Sequence, residues 1–226
     1  MPNAVAIKSM FNNISGSYDI LNDLLSLGIH RIWKKRLVKT MISHGPDTIL
    51  DCATGTGDIA IMMKKFSPKT TIHGVDFSAG MLEYAKKKTD QIEWSVQDVM
   101  NMPFEDNQFS ASSISYGIRN VEDYHKGLSE MARVTRDKIC VLEFGQPENI
   151  FFKFIYFAIM KYFIPIMGKL FNKQSAYKYL IDSSMKFPSG EKFCHVIKDA
   201  TGFKHVSYRP FFGGVTYLYT ASNIDE

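Results

Sequence analysis

Apolar residues follow two alternating periods along the middle of this 226-residue chain. Short runs of β-branched and apolar residues predict buried strands, whereas the segments between them repeat an apolar residue every three or four positions, as amphipathic helices do. Elements that alternate at this spacing predict an α/β fold, in which a doubly wound and mostly parallel sheet has helices on both faces. The predicted strands are 48–54, 70–77, 92–97, 109–116 and 138–144, and the predicted helices are 58–66, 121–135 and a segment capped by Ser78.

Different patterns mark the two ends of the chain. Two helical segments, 8–20 and 22–43, precede the first strand, and residues 151–200 predict an aromatic, Met-rich helical insertion. Two closing strands, 204–212 and 215–222, are joined by a pair of glycines, which favours an antiparallel hairpin and a sheet of seven strands. We expect one domain over 1–226, divided into a helical N-terminal lid (1–46), the sheet core (47–145), the aromatic helical insertion (146–203) and the hairpin (204–222).

Composition excludes several classes of protein. Hydrophobic residues make up 45% and charged residues 22% of the chain, which is ordinary for a folded globular protein. The net charge of +4 is spread over interspersed basic and acidic residues, so it gives no support to a nucleic-acid partner. Cys52, Cys140 and Cys194 are far apart, which predicts neither a disulfide framework nor a metal site but a protein of a reducing cytoplasm.

The longest apolar stretch, 151–171, does not predict a transmembrane helix. Lys153, Lys161 and Lys169 interrupt it and Pro165 is expected to break it, so no lysine-free run reaches the roughly 18–20 residues that a spanning helix needs. The first residues lack both the apolar core of a signal peptide and the Arg-rich character of a transit peptide. We therefore expect a cytoplasmic protein.

Residues 48–58 carry the strongest chemical signal. The first predicted strand runs into Asp51 and then into Gly55 and Gly57, an arrangement that brings a backbone loop close to a nucleotide-like ligand. The segment 55–60 also satisfies the G-x-G-x-x-A dinucleotide pattern. A nicotinamide-dependent oxidoreductase is therefore one alternative.

Three acidic residues favour a different ligand. Asp51 precedes the glycines, and Asp76 and Asp98 end the second and third predicted strands. Carboxylates around one loop would repel a diphosphate, whereas they suit a ligand with a positive charge, a ribose and an adenine amine. S-adenosylmethionine has all of these groups. A non-enzymatic membrane-binding module is the third alternative.

Several motifs of the chain resemble those of a known family. Residues 50–58 resemble the first motif of class I methyltransferases, 74–82 the second, and Asp98 with 102–104 the third. More specific motifs are similar to those of the family that C-methylates the quinone ring in menaquinone and ubiquinone biosynthesis. These motifs are Phe11-Asn12-Asn13-Ile14 with Tyr18-Asp19, Tyr116-Gly117-Ile118-Arg119-Asn120-Val121, Leu142-Glu143-Phe144, Tyr177-Lys178-Tyr179-Leu180 and Phe187-Pro188.

The chain departs from the family pattern at two places. The Lys-Pro-Gly-Gly turn that is usual after Val134 is replaced by the shorter 135–138, and an Asp that is usual after Phe109 is Ser110. Both lie away from the expected ligand contacts, so they bear on loop geometry more than on activity.

The resemblance implies a Rossmann-like class I methyltransferase that uses S-adenosylmethionine and needs no metal. Asp76 suits the ribose hydroxyls of the donor, Asp98 suits its adenine amine, and the Val99 backbone N–H suits the adenine ring. The full set of expected cofactor-binding residues is Asp51, Gly55, Thr56, Gly57, Asp76, Asp98, Val99 and Ser115.

The implied acceptor is a polyprenylated quinol, because a reduced ring is electron-rich enough to attack a sulfonium methyl. Demethylmenaquinol is the first expectation, and the ubiquinone precursor 2-polyprenyl-6-methoxy-1,4-benzoquinol is the alternative. Arg119 and Asn120 are expected to stabilise the phenolate, and Tyr18 and Asp19 to orient or deprotonate the hydroxyl. The stretch 151–171, with Tyr177 and Tyr179, would receive the tail and rest on a membrane surface. A homodimer is a further expectation.

Overall fold

The computed structural model describes residues 28–147, 150–166 and 174–224, together with Ile7, Met10, Asp23 and Ser26. The candidate catalytic residues Tyr18 and Asp19, with most of the predicted helix 8–20, lie outside the described residues. Their roles therefore stay predictions.

The described residues form one sheet of seven strands. The strands are β1 (Thr48–Cys52), β2 (Thr71–Asp76), β3 (Glu93–Val96), β4 (Phe109–Ser115), β5 (Thr135–Phe144), β6 (His205–Phe211) and β7 (Thr216–Ser222). Their order is β3-β2-β1-β4-β5-β7-β6, and neighbours from β3 to β5 pair in parallel. Strand β7 pairs antiparallel with both β5 and β6. The mostly parallel sheet with an antiparallel C-terminal strand is thereby confirmed.

Helices pack on both faces of this sheet. They are α1 (Ile29–Ile42), α2 (Asp58–Phe66), α3 (Ala79–Lys88), α4 (Tyr124–Val134), α5 (Ile150–Ala158), α6 (Gln174–Lys186) and α7 (Glu191–Thr201). Within the described ranges, no helix is both long enough and apolar enough to cross a membrane.

Side chains that alternate along the central strands reach two separate cores. Ile49 of β1 and Leu142 of β5 face the core that contains α1 and α2. Leu50 and Val141, the adjacent residues, face the core that contains α4 and α7. Because the central strand β4 is buried on both faces, its side chains are apolar or are small serine hydroxyls.

Helix α7 belongs to the second core. Its Phe193 is fully buried among side chains of α4 and β7, although its sequence falls within the range 146–203 that we expect to form the aromatic insertion. Helices α5 and α6 lie within the same range.

Three local features differ from the expectations. Helix α4 ends at Val134 and β5 begins at the next residue, so the strand starts before Lys138 and no loop replaces the missing family turn. Strands β6 and β7 are joined by a 3₁₀ turn, Phe212–Gly214, rather than by two glycines alone. The helical segment includes Pro165 and Ile166, and a π-helical stretch at Ile159–Phe163 precedes the proline.

Candidate active site

An open cavity lies at the carboxyl ends of the strands, where β1 and β4 are neighbours. Strands β2 and β3 continue the sheet on one side of this pair, and β5 continues it on the other. The strand order therefore reverses direction between β1 and β4, and open α/β sheets bind ligands at such a topological switch point. Of the residues singled out in the sequence, Gly55, Asp76, Asp98, Val99, Ser115 and Asn120 line the cavity.

Asp76 stands at the end of β2, and two backbone donors hold its carboxylate. The N–H of Gly55 donates to Oδ2 at 2.8 Å, and the N–H of Ser78 donates to Oδ1 at 2.8 Å. Burial raises the pKa of the Asp76 carboxyl to about 6, while these two hydrogen bonds act in the opposite direction. Each carboxylate oxygen has a further lone pair, so the group can accept hydrogen bonds from two ligand hydroxyls.

The other lining residues offer different hydrogen-bonding groups. Asp98 is exposed, and one of its carboxylate oxygens accepts the Met100 N–H at 2.9 Å. Ser115, at the end of β4, has a buried Oγ that makes no hydrogen bond to any residue that the structure describes. A buried hydroxyl that lines a cavity and lacks a protein partner suits a bound polar ligand. The residues present therefore fit a cofactor with hydroxyl, amine and carboxylate groups.

Two residues at the strand ends have an unusual backbone conformation. Ala53 after β1 and Tyr116 after β4 have φ of 48° and 55°, in the left-handed region that L-residues rarely adopt. Gly117 passes so close to this point that a Cβ atom on it would lie 2.6 Å from the Cβ of Ala53. Strained backbone of this kind is concentrated at functional sites. From the sequence, Gly117 was expected only as part of the acceptor-recognising motif, and Ala53 and Tyr116 had no assigned role. Their position directly after parallel strands was a usable signal.

Three predicted cofactor-binding residues, Asp51, Thr56 and Gly57, do not line the cavity. The pleat of β1 turns Asp51 into the core, where it accepts hydrogen bonds from Thr54 Oγ1 at 2.6 Å and Ser113 Oγ at 2.7 Å. Burial raises the pKa of Asp51 to about 6. Asp51 thus stabilises the start of the glycine loop from the core side. Direct ligand contact by Asp51, Thr56 and Gly57 stays a prediction.

Arg119 lies on the 3₁₀ turn Ile118–Asn120, beside the cavity but outside its lining. Its Nη1 donates to Glu143 Oε1 at 2.6 Å and to the Tyr116 carbonyl at 2.7 Å, and its guanidinium lies 5.2 Å from the centre of the Phe144 ring. Glu143 is fully buried, which raises the pKa of its carboxyl, while the Arg119 charge acts in the opposite direction. Arg119 Nε makes no hydrogen bond within the described part of the chain, so one buried donor is available.

Asn120 connects the cavity to the aromatic helices. Its Oδ1 accepts the hydroxyl of Tyr179, on α6, at 2.9 Å, and its Nδ2 donates to the Tyr116 carbonyl at 3.4 Å. The same carbonyl thus binds both Arg119 and Asn120. From the sequence, Tyr179 was expected only to help receive the tail, and Glu143 had no role beyond its place in a family motif. The end of a parallel strand could have indicated Glu143, whereas the Tyr179 contact depends on how α6 folds back over the sheet.

The strand order is that of the class I methyltransferase fold. A methyltransferase of Haloferax volcanii, solved with its Trm112 activator, has a TM-score of 0.68 at 15% identity, over 95% of this chain and 98% of that chain. An S-adenosylmethionine-dependent methyltransferase of Thermotoga maritima has a TM-score of 0.67 at 18% identity, over 96% and 99%. At such identities the likeness shows the fold alone.

The chain belongs to the ubiE/COQ5 methyltransferase family, whose model matches residues 2–223. The ubiquinone/menaquinone biosynthesis C-methyltransferase UbiE of Bdellovibrio bacteriovorus is 41% identical over 225 residues, which cover 96% of each chain. The demethylmenaquinone methyltransferase of Bacteroides fragilis is 38% identical over 226 residues, which cover 96% of this chain and 91% of that protein. The family resemblance is thereby confirmed, and the oxidoreductase and non-enzymatic alternatives disagree with it.

Removing Arg119 alone should destabilise the protein more than removing both members of its ion pair. Arg119→Leu leaves the buried Glu143 carboxylate without its partner, and breaking a buried pair in this way costs about 3–5 kcal/mol. Adding Glu143→Leu should restore most of the stability, because apolar side chains replace buried ion pairs at little cost. Urea unfolding of the wild type, the single variant and the double variant measures this. Equal stability of the two variants would contradict the described pairing.

Proposed function

We propose that the chain transfers a methyl group from S-adenosylmethionine to a ring carbon of demethylmenaquinol, giving menaquinol. Relatives of similar identity carry a ubiquinone/menaquinone name and a demethylmenaquinone name, so methylation of the ubiquinone precursor is the second candidate. The observation that carries the proposal is the position of Asn120, which lines the cavity, bonds Tyr179 of α6 and follows the buried cation Arg119.

The donor would bind through groups at the ends of four strands. Asp76 would accept the two ribose hydroxyls, Asp98 would accept the adenine amine, and the Val99 N–H would donate to the adenine ring. Ser115 Oγ would gain a partner at the methionine end, beside the Gly55 backbone. When bound, the donor supplies an electrophilic methyl group on a positively charged sulfur. Thr56, Gly57 and Asp51 would shape the loop that carries these contacts.

Donor affinity should fall as the pH drops through about 6. Ribose hydroxyls hydrogen-bond best to the ionised form of Asp76, whose pKa burial raises to about 6 in the free protein. Below that pKa, the Kd for S-adenosylhomocysteine should rise by up to about tenfold per pH unit. Calorimetric titrations across this range provide the measurement.

Two variants show whether Asp76 is the group that titrates. Asp76→Asn should bind S-adenosylhomocysteine more weakly and without this pH dependence. Asp90→Asn, which removes an exposed carboxyl elsewhere, should keep both the affinity and the pH dependence. If the pH dependence persists in Asp76→Asn, another group causes it, and the proposed contact between Asp76 and the ribose is wrong.

The acceptor carbon becomes a good nucleophile when the neighbouring hydroxyl loses its proton. Arg119 would stabilise that phenolate through its free Nε–H, and Asn120 would orient the ring. The new carbon–carbon bond forms as the carbon–sulfur bond breaks, and the ring carbon then loses its own proton. Tyr18 and Asp19 stay candidates for orienting or deprotonating the hydroxyl. Holding the two reactants in line supplies much of the rate.

Methyl transfer to two reduced quinols, assayed side by side with labelled donor, tests the proposed function. Label should appear faster on reduced demethylmenaquinone than on the reduced demethyl ubiquinone precursor, and not on either oxidised quinone. The Arg119→Leu/Glu143→Leu variant should bind S-adenosylhomocysteine normally yet transfer at least about 10²-fold more slowly, since it lacks the group that stabilises the phenolate. The opposite preference would select the second candidate, and label on neither quinol would exclude both.

Helix α5 and the segment after it present an apolar surface to solvent. Ile150 is 83% and Phe154 is 77% exposed, and Lys153 and Lys161 are exposed among the aromatic residues. Aromatic side chains interspersed with lysines are typical of segments that lie in a membrane interface. We propose that this aromatic face receives the polyprenyl tail and touches the membrane that carries the quinol. The aromatic face consists of Ile150, Phe151, Phe154, Phe157, Tyr162, Phe163 and Ile166.

Polar substitution of the aromatic face should impair long-tailed acceptors selectively. The triple variant Phe154→Ser, Phe157→Ser and Phe163→Ser should lower kcat/KM for a long-tailed quinol in vesicles by about 10- to 100-fold, because it removes apolar area that the tail would cover. A tail-free quinol should react at nearly the wild-type rate. Phe66→Ser, at an exposed aromatic position at the end of α2, is the control. Equal loss on both acceptors would remove the tail-binding role.

A further inference from the structure

A hydrogen bond from Tyr179 determines which way the side-chain amide of Asn120 faces. The two ends of such an amide differ, because Nδ2 only donates hydrogen bonds and Oδ1 only accepts them. Nδ2 of Asn120 faces the carbonyl oxygen of Tyr116, which can only accept, and Oδ1 lies 2.9 Å from the Tyr179 hydroxyl. The Tyr179 hydroxyl is therefore the donor, and it holds the oxygen end of an amide that lines the cavity.

The bond from Tyr179 is the stronger of the two that hold this amide. Its 2.9 Å is within the range usual for an O–H donor, about 2.5–3.0 Å, whereas 3.4 Å to the Tyr116 carbonyl exceeds the about 2.7–3.2 Å usual for an N–H donor. The same carbonyl also accepts Arg119 Nη1 at 2.7 Å, so Asn120 shares that acceptor with a cation. Burial raises the pKa of Tyr179, so the hydroxyl keeps the proton that it donates.

Tyr179 is held in turn by the contacts of α6. The next residue, Leu180, packs against the buried Tyr156 of α5. The side-chain amide of Gln146, just after β5, donates to the Met185 carbonyl. Helix α6 is thereby attached both to α5 and to the end of the sheet. A phenylalanine in place of Tyr179 would keep the ring, so packing does not explain the hydroxyl.

The proposed reaction needs a precisely oriented acceptor. A phenolate has two nucleophilic atoms, because its negative charge is shared between the oxygen and the neighbouring ring carbon. Attack by the carbon gives a ring-methylated quinol, whereas attack by the oxygen gives a methyl ether. Since the reacting atoms must be in line, the side chains that hold the phenolate oxygen decide which atom receives the methyl group.

We propose that Tyr179 is a positioning residue, which directs methyl transfer to the ring carbon by fixing the amide of Asn120. This rests on the proposed function. With Oδ1 bound to Tyr179, the second N–H of Nδ2 binds the phenolate oxygen and holds it out of line with the methyl group. The carbon–carbon bond then forms as the carbon–sulfur bond breaks, and the ring carbon loses its proton. In the competing transfer a carbon–oxygen bond forms instead, and the phenolate has already lost its proton.

Tyr179→Phe removes the hydroxyl and keeps the ring. On reduced demethylmenaquinone its kcat should fall, and the ratio of methyl ether to ring-methylated product should rise, each by about 3- to 10-fold, which is the effect of losing one hydrogen bond between neutral groups. Air oxidation separates the products, since the ring-methylated quinol becomes a quinone and the ether does not. This ratio does not depend on how much of the variant is folded.

Two controls accompany this variant. Tyr84→Phe, at an exposed tyrosine of α3, should leave both kcat and the product ratio unchanged. Tyr179→Phe should bind S-adenosylhomocysteine with the wild-type affinity, because the hydroxyl bonds Asn120 and not the residues expected to hold the donor.

A double-mutant cycle separates positioning through Asn120 from support of α6. Asn120→Ala should raise the ether ratio at least as much as Tyr179→Phe does. Adding Tyr179→Phe to Asn120→Ala should change neither kcat nor the ratio further, because the hydroxyl has lost the group through which it acts. Equal effects of Tyr179→Phe in both backgrounds, or a wild-type kcat and ratio in the single variant, would overturn the role of Tyr179 alone. Failure of the wild type to methylate any quinol would overturn the proposed function, and the role of Tyr179 with it.

Discussion

A buried ion pair between Arg119 and Glu143 joins the two sides of the site. Arg119 follows β4 and Glu143 lies near the end of β5, so the parallel pairing of these strands brings the two charges together. The guanidinium of Arg119 also donates a hydrogen bond to the carbonyl of Tyr116, a residue that lines the donor cavity. The Nε–H of Arg119 has no partner among the described residues. The orientation of this free donor therefore depends on the ion pair, whereas the Tyr116 carbonyl is held by Asn120 as well.

Stability alone does not account for this pair. Removing two charges from water costs several kcal/mol per ion, and apolar side chains of similar volume would be at least as stable in the same place. The aromatic surroundings increase that cost, since the rings of Tyr116 and Phe144 lie 4.5 Å apart beside the guanidinium. They also exclude water, which strengthens any interaction of Arg119 with a ligand. The pair is thus better explained by the position it gives to Arg119 than by its contribution to folding.

Local signals were sufficient to predict the fold and part of the cavity. The alternating strand and helix periods predicted the sheet. Ser78 caps its helix as expected. Both features depend on residues that are close in sequence. Asp76 lines the cavity because the last residue of a parallel strand lies at the ligand edge. The direction of Asp51 was not predictable, since it depends on the pleat of β1. The pairing of Arg119 with Glu143 was not predictable either, since 24 positions separate them and only the register of β4 on β5 joins them.

Asp51 and Asp76 are both buried, but the free-energy cost of ionising them is offset in different ways. Burial raises the pKa of both Asp51 and Asp76 from the ordinary 3.8 to about 6. A raised pKa means that the folded protein holds the proton more firmly, so this contribution to stability is present below about pH 4 and is lost as the pH rises through about 6. At neutral pH each ionised group then disfavours folding by about 3 kcal/mol. Hydrogen bonds from a bound donor would offset that cost at Asp76, which lines the cavity. Asp51 does not line the cavity, and hydrogen bonds from Thr54 and Ser113 offset part of its cost instead.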